Sequence, residues 1–375
     1  MTAETIHLRC FRNHKDTEIE FCHLSNILIG KNGEGKTNVL EAISYLCLTK
    51  SFFGARDTTI VMIGETSFSV QGIFTLENGH KSTVRAEFTT VTNEKNVTVN
   101  NIHIDRKSNH IGQFPVVVLS PEHAVITFGG PAERRRFIDL AIAQTSNLYL
   151  NDILEYRKVI RQRNTVLADA RAQNITISGI IETWNDSLLQ YASRIIHRRR
   201  LFLEQFSTRV VTAYQTLTGT EETPRIEYIS HSDGKSIEEI RLHLEKELYE
   251  KLDDEIRIGT TLVGPQRDEI RFTLNGQEIR KYASQGQHKT FLIALKMAEF
   301  CSLKDMCRET PIVLLDDVFS ELDGERTKRL MDQITTLGQT FITTTENSFI
   351  ERWSLVGRHI TKIDVKNGTA SYVHI

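Results

Sequence analysis

Eight consecutive residues, Gly30-Lys31-Asn32-Gly33-Glu34-Gly35-Lys36-Thr37, carry the pattern G-x-x-x-x-G-K-[ST] within a chain of 375 residues. Glycines let the backbone curl so that successive N–H groups point at phosphate oxygens, and the positive end of a following helix adds to the attraction. In such a loop Lys36 reaches the β- and γ-phosphates and the Thr37 hydroxyl faces magnesium, so a nucleoside triphosphate with Mg2+ is the expected ligand. The loop needs a second metal-side carboxylate at the tip of a buried parallel strand, and Ile312-Val313-Leu314-Leu315-Asp316-Asp317 supplies one. Asp316 is the metal-side candidate. Asp317 is then directed beyond the γ-phosphate, where it could orient or deprotonate an attacking water. Two aspartates after an apolar run also suit a helix N-cap, and it is the upstream loop that favours the metal.

These groups need elements to hold them. Ile6 to Phe11 and Thr17 to Phe21 alternate in strand fashion, Ile27 to Ile29 is an apolar run, and Val39, Leu40, Ile43 and Leu46 recur at helical spacing after the loop. That is the strand–loop–helix context the motif requires. Alternating segments between Phe68 and Ile104, with Asn100-Asn101 as a turn, predict an antiparallel side sheet, and Pro115 to Leu119 predicts another buried strand. From Ala132 to about Leu217 proline is absent and the apolar spacing is that of long helices. Strand Arg225 to Ile229, a charged helix from Ile237 to Leu252, a hairpin turning at Asn275-Gly276 and a helix from Ser284 follow. The last part returns to strand Ile312 to Leu315, helix Glu325 to Ile334, strand Thr340 to Thr343 and a hairpin about Asn367-Gly368. The expected architecture is α/β, with both ends of the chain building one lobe around a helical middle: 1-122 and 306-375 as lobe I, and 123-305 as a mostly helical lobe II.

Composition narrows the function less than the motifs do. With 46 basic and 48 acidic residues the formal net charge is −2, so any nucleic-acid contact must come from local patches. Three occur in the helical middle: Arg134-Arg135-Arg136; Arg157, Lys158, Arg161 and Arg163; and Arg194 with His197 to Arg200. Each suits phosphate neutralisation and equally a solvated or ion-paired helix face. There is no apolar run of about 18 residues and no leader at the start, which leads us to expect a cytoplasmic protein without membrane contact. Five scattered cysteines lack CxxC spacing, so zinc is not expected and reduced thiols are.

Ser284-Gln285-Gly286-Gln287 opens a helix about 30 residues before the carboxylate strand, and by itself is an ordinary capped helix start. By its order and distance from Asp316 it resembles the signature motif of ABC-type ATPases, whose serine and glycine bind the γ-phosphate held by the other subunit of a head-to-head dimer. Ser320-Glu321-Leu322-Asp323 resembles their D-loop, and Thr343-Thr344-Thr345 stands in the place of their switch segment. Within that class the chain resembles the RecF family of bacterial recombination mediators, related to the SMC and Rad50 ATPases. The resemblance rests on Leu8 to Asn13, the loop with Asn38 to Ile43, Gly130 to Asp139, Arg161 to Asn164, Gly264 to Asp268, Ala283 to Gln287 and Leu314 to Asp323, in family order along nearly the whole chain.

The resemblance implies a P-loop ABC-type head that binds ATP and Mg2+ and dimerises on ATP. It implies recognition of single-strand/duplex junctions at gapped DNA, work with RecR and RecO to load RecA, and weak DNA-dependent ATPase activity. It places Arg12, Asn13 and Asn38 near the nucleotide with Gly30 to Thr37, Thr37 and Asp316 on the metal, Asp317 in hydrolysis, and Ser284 with Gly286 in the partner's site. The acid at 317 is an aspartate, one methylene shorter than the glutamate usual in ABC enzymes, which suggests slow hydrolysis suited to a timer. His288-Lys289 stands where the family commonly has Gln-Arg, and lysine lacks the planar fork of arginine. A transporter ATPase would need the switch histidine, and an SMC or Rad50 head a far longer helical insert with sustained heptads. A P-loop kinase would have no use for the distant Ser-Gln-Gly-Gln.

Overall fold

The computed structural model describes residues 1–173, 178–319, 323–345 and 360–373. Strand β1 (Thr2–Phe11) interleaves buried with partly buried positions and β2 (His14–Glu20) buried with exposed ones, whereas β3 (Ser25–Ile29) is buried throughout, as a central parallel strand must be. The glycine loop follows β3 and opens α1 (Lys36–Leu48). Next come β4 (Ser67–Thr75), β5 (Lys81–Thr89), β6 (Glu94–Val99), β7 (Ile102–His103) and the buried β8 (Val116–Leu119). Asn100 and Asn101 turn β6 into β7 at positive φ, a conformation that asparagine tolerates better than most residues.

Helices α2 (Val125–Phe128), α3 (Pro131–Thr145), α4 (Asn147–Gln173) and α5 (Ser178–Thr218) form the helical stretch. After them come β9 (Pro224–Ile229), α6 (Ile237–Ile258), β10 (Glu269–Leu274), β11 (Gln277–Glu278), α7 (Ile279–Tyr282) and α8 (Gln285–Met306). The chain closes with β12 (Ile312–Asp316), α9 (Gly324–Ile334), β13 (Thr340–Thr344), β14 (Ile360–Lys366) and β15 (Thr369–Val373).

Two compact units result. Unit 1 holds Met1–Ala124, Ala213–Glu221 and Ser284–Ile375; unit 2 holds Val125–Thr212 and Glu222–Ala283. This division differs from the one read from the sequence in the segments 123–124, 213–221 and 284–305, which fall in unit 1; the last is the longest. It falls there because α8 is buried along most of its length, through Phe291, Ile293, Ala294 and Leu295, and packs on β8.

Among the described residues unit 1 contains two six-stranded sheets. One is antiparallel, in the order β2-β1-β4-β5-β6-β7. The other runs β15-β14-β3-β13-β12-β8 and is parallel except for the terminal hairpin strand. In it Thr344 lies opposite Ile29 and Asp316 opposite Thr343, so β3, β13 and β12 end at one edge. Residues 30, 316 and 343 are brought together by that register. The buried apolar side chains of β12, Ile312 to Leu315, fix it, each worth about 1.5–3 kcal/mol on burial.

Unit 2 combines α3, α4, α6 and most of α5 with the antiparallel sheet β11-β10-β9. Leu167, Ala170 and Ile181 pack with Leu252 and Ile256 where α4, α5 and α6 meet. A reciprocal cap starts α6, where Ser236 Oγ accepts from the Glu239 amide at 3.1 Å.

Candidate nucleotide-binding site

The glycine loop joins β3 to α1 through Gly35, at φ 111°, a backbone state that side-chain-bearing residues avoid. Space is equally restrictive there, since a Cβ on Gly35 would come within 2.6 Å of Asn13 Oδ1 and 2.7 Å of His14 Nε2. Lys36 is buried at the head of α1 and its Nζ donates to Gly30 O at 2.8 Å and Lys31 O at 2.9 Å, arching across the loop. Burial pushes its ammonium below the usual lysine range, against the pull of Asp316, Asp317 and Glu34. Lys31, Asn32 and Gly33 are exposed on the outer turn.

Thr37 and the carboxylate strand meet directly. Thr37 Oγ1 donates to Asp316 Oδ1 at 2.7 Å, and Thr343 Oγ1 donates to the same oxygen at 2.7 Å. Burial raises the Asp316 carboxyl above its ordinary value, while the two threonine bonds work in the opposite direction. A hydroxyl beside a carboxylate is a hard-oxygen donor set of the kind magnesium takes in combination with phosphate oxygens. Among the described residues no group of three His, Cys, Asp or Glu is placed to hold a metal by itself.

Asp317 is exposed and sits at φ 46°, a strained setting for a residue with a side chain. Its amide donates to Thr343 Oγ1 at 3.0 Å, so Thr343 ties both aspartates together.

Asn13 reaches the loop through Nδ2, which donates to Glu34 O at 3.0 Å, and its Oδ1 accepts from Asn38 Nδ2 at 2.8 Å. Arg12, at φ 56°, is engaged elsewhere: Nε and Nη2 fork onto the buried Glu41 of α1 at 2.8 and 2.7 Å. His14 is buried beneath the loop, with Nε2 3.1 Å from Gly35 O; a carbonyl only accepts, so Nε2 is the donor. Neither this histidine nor Thr343 as the link between the aspartates was singled out by the sequence patterns. An X-His placed two residues after an arginine carries no local signal of its burial 21 positions away from its partner.

Ser284 caps α8 reciprocally with Gln287: the Gln287 amide donates to Ser284 Oγ at 3.2 Å, and the Ser284 amide to Gln287 Oε1 at 2.9 Å. Ser284 and Gln285 are exposed, and Gly286 is half-buried. Of the stretch Ser320-Glu321-Leu322-Asp323, the first three lie outside the described residues; Asp323 caps α9, accepting from the Arg326 amide at 2.8 Å. Thr345 is exposed after β13.

The basic clusters of unit 2 divide sharply. Arg134, Arg163 and Arg199 are buried. Arg134 pairs with Glu269 at 2.8 Å, Arg163 with Glu255 at 2.6 Å, and Arg199 forks onto Asp139 at 2.9 and 3.0 Å and reaches Asp268 at 3.2 Å. Arg200 is taken up by Gly234 O and Ser232 O, and Arg194 by Asp152. These side chains hold unit 2 together. Arg136, Arg157 and Arg161, by contrast, are exposed and form no ion pair among the described residues.

A parallel sheet whose central strand feeds a phosphate-binding loop, with the carboxylate strand next but one across β13 and an antiparallel sheet in the same unit, defines an ABC/SMC-type ATPase head. The Smc head domain of Pyrococcus furiosus shares this fold at 14% identity, with a TM-score of 0.58 over 100% of this chain and 96% of that one. Residues 2–369 match the family described as RecF/RecN/SMC N terminal domain. Within it the chain belongs to the RecF family of DNA replication and repair proteins: the relative from Chloroherpeton thalassium is 40% identical over 90% of this chain and 92% of its own length. A solved structure of the recombination mediator protein RecF with ATP, from the RecFOR pathway, is 29% identical and has a TM-score of 0.91 over 99% of this chain and 97% of that one.

Proposed function

We propose that this protein is an ATP-dependent DNA-binding factor of recombinational repair and replication restart. ATP with Mg2+ occupies the loop Gly30 to Asn38, and joins two copies into a dimer on gapped single-strand/duplex DNA. That dimer helps RecO and RecR load RecA, in the cytoplasm. Slow hydrolysis assisted by Asp317 then resets it.

The observation that carries the reading is the 2.7 Å contact between Thr37 Oγ1 and Asp316 Oδ1, which pairs a loop hydroxyl with a strand-tip carboxylate 279 residues away. Magnesium, when bound, would neutralise charge on the phosphates; the chain's part is to supply these two oxygens, with the Thr343 hydroxyl holding the carboxylate in place. The ATP-bound relative at 29% identity supports the same assignment. The test is affinity for gapped, duplex and single-stranded DNA with ATP, with ADP and without nucleotide. Tightest binding to gapped DNA with ATP is expected, and affinity independent of nucleotide would sink the reading.

Ser284 and Gly286 are assigned to the γ-phosphate held by the partner copy. The exposed position of Ser284 at the start of α8, with Gly286 half-buried two residues on, supports this, because N-terminal amides of a helix of 22 residues favour an anion. Ser284→Arg should leave ATP binding by the monomer intact and block ATP-induced dimers; dimers still visible by light scattering would remove the role.

For DNA, the exposed cations Arg157 and Arg161 lie one turn apart on α4 and are free of ion pairs among the described residues. Replacing both with alanine should weaken DNA binding roughly tenfold at moderate salt and flatten the logarithmic salt slope by about 2, one phosphate per arginine. An unaltered slope would place the DNA elsewhere.

A further inference from the structure

The turn between β14 and β15 lies against the phosphate-binding loop, although 333 residues of chain separate Glu34 from Asn367. The Asn367 amide donates to Glu34 Oε2, and the Gly368 amide donates to Glu34 O at 3.0 Å. Asn13 Nδ2 donates to that same carbonyl at 3.0 Å. From its other side the turn is held by Thr17 Oγ1, which donates to Gly368 O at 2.6 Å. Approach is close enough that a Cβ on Gly30 would collide with the Val365 carbonyl, and a Cβ on Gly368 with the Asn13 carbonyl. Both Glu34 oxygens used here thus accept from groups outside the loop.

A carboxylate in the middle of a phosphate-binding loop is a like-charge neighbour for a triphosphate. Left untethered it would sample positions near the phosphates, and the loop would sample backbone shapes in which its amides diverge. We propose that the Asn367-Gly368 turn sets the shape of the phosphate-binding loop through Glu34, making Glu34 a positioning residue for the nucleotide and the turn a working part of the site. The inference rests on the ATP reading above. It assigns to the C-terminal hairpin a task that no motif in it announces.

Charge and tether act in opposite directions on ATP affinity, so the sign of one measurement separates them. Glu34→Ala removes the charge and the side-chain part of the tether while leaving the backbone bond from Gly368: loss of repulsion alone would tighten binding, and loss of the side-chain tether alone would weaken it. Glu34→Gln removes the charge and keeps an acceptor oxygen for the Asn367 amide. The measurements are ATP affinity with a fluorescent analogue, hydrogen–deuterium exchange of amides 31–38, and the melting temperature, on full-length protein.

The expected result is an ATP Kd raised about tenfold in Glu34→Ala, the scale of one charge-assisted hydrogen bond, with faster exchange in the loop. Glu34→Gln should bind ATP at least as tightly as the native chain. Gly368→Ala, which leaves the loop's own sequence untouched, should weaken ATP as Glu34→Ala does. If Gly368→Ala fails to fold, the comparison of the two Glu34 variants still decides. A folded Glu34→Ala protein that binds ATP as tightly as the native one would overturn the proposal, as would a Glu34→Gln protein as weak as Glu34→Ala. A native protein that fails to bind ATP would overturn the ATP reading and this proposal together, whereas loss of the variant effect alone leaves the ATP reading standing.

Discussion

Lys36→Ala is expected to bind ATP at least a hundredfold more weakly than the native chain while keeping its fold. Among the described residues the Nζ donates to the backbone carbonyls of Gly30 and Lys31, and the outer turn Lys31 to Gly33 is exposed, so that water can take its place there. Stability should therefore change by less than about 1 kcal/mol. Binding is different, because in the proposed site the buried ammonium would face two phosphates and make charge-assisted bonds worth about 1.5–3 kcal/mol each. Isothermal calorimetry for affinity and urea melts for stability separate the two effects. Undiminished ATP affinity in this variant would refute the loop assignment altogether.

The second large effect concerns the arginine that sequence inspection counts among possible DNA contacts. Arg199→Met is expected to destabilise the protein by about 3–5 kcal/mol, the scale of a broken buried ion pair. Arg199 is buried between Asp139 and Asp268 and also donates to Pro265 O at 2.7 Å, so its loss strands two carboxylates. Burial already raises the Asp268 carboxyl above its ordinary value, and Arg199 is the main charge opposing that rise. Without the arginine the carboxyl rises further and takes up a proton in the folded state. A folded-state value above the unfolded one gives stability that is present at low pH and lost as pH climbs through the folded value, so the deficit should shrink toward acid. Urea denaturation at neutral and mildly acidic pH checks both the size and the sign. A loss of DNA affinity without loss of stability would show that Arg199 faces the nucleic acid instead.

What could be read from the residues alone follows from range. The glycine loop, the apolar run ending at Asp316, the Asn275-Gly276 and Asn367-Gly368 turns and the cap at Ser284 are local patterns, and each falls in the element its spacing predicts. Register across the parallel sheet is not local. Nothing near Thr343 says that its hydroxyl will join Asp316 to the amide of Asp317, and nothing near His14 points to Gly35. Charge counts fail for the same reason: Arg161 and Arg163 sit two residues apart, yet one is exposed and the other is buried against Glu255, Asn185 and Thr261. Helical phase separates them, and the partners lie 22 to 98 residues on.

The strand order β15-β14-β3-β13-β12-β8 also has a consequence for synthesis on the ribosome. Both sheet neighbours of β3, which begins at Ser25, come from beyond residue 339. A chain made at about 5–20 residues per second spends roughly 20–70 s between emergence of the loop and arrival of the hairpin that abuts it. Throughout that interval β3 is an apolar segment without its sheet. A nascent or truncated chain therefore carries the phosphate-binding sequence without the strands and the hairpin against which it packs.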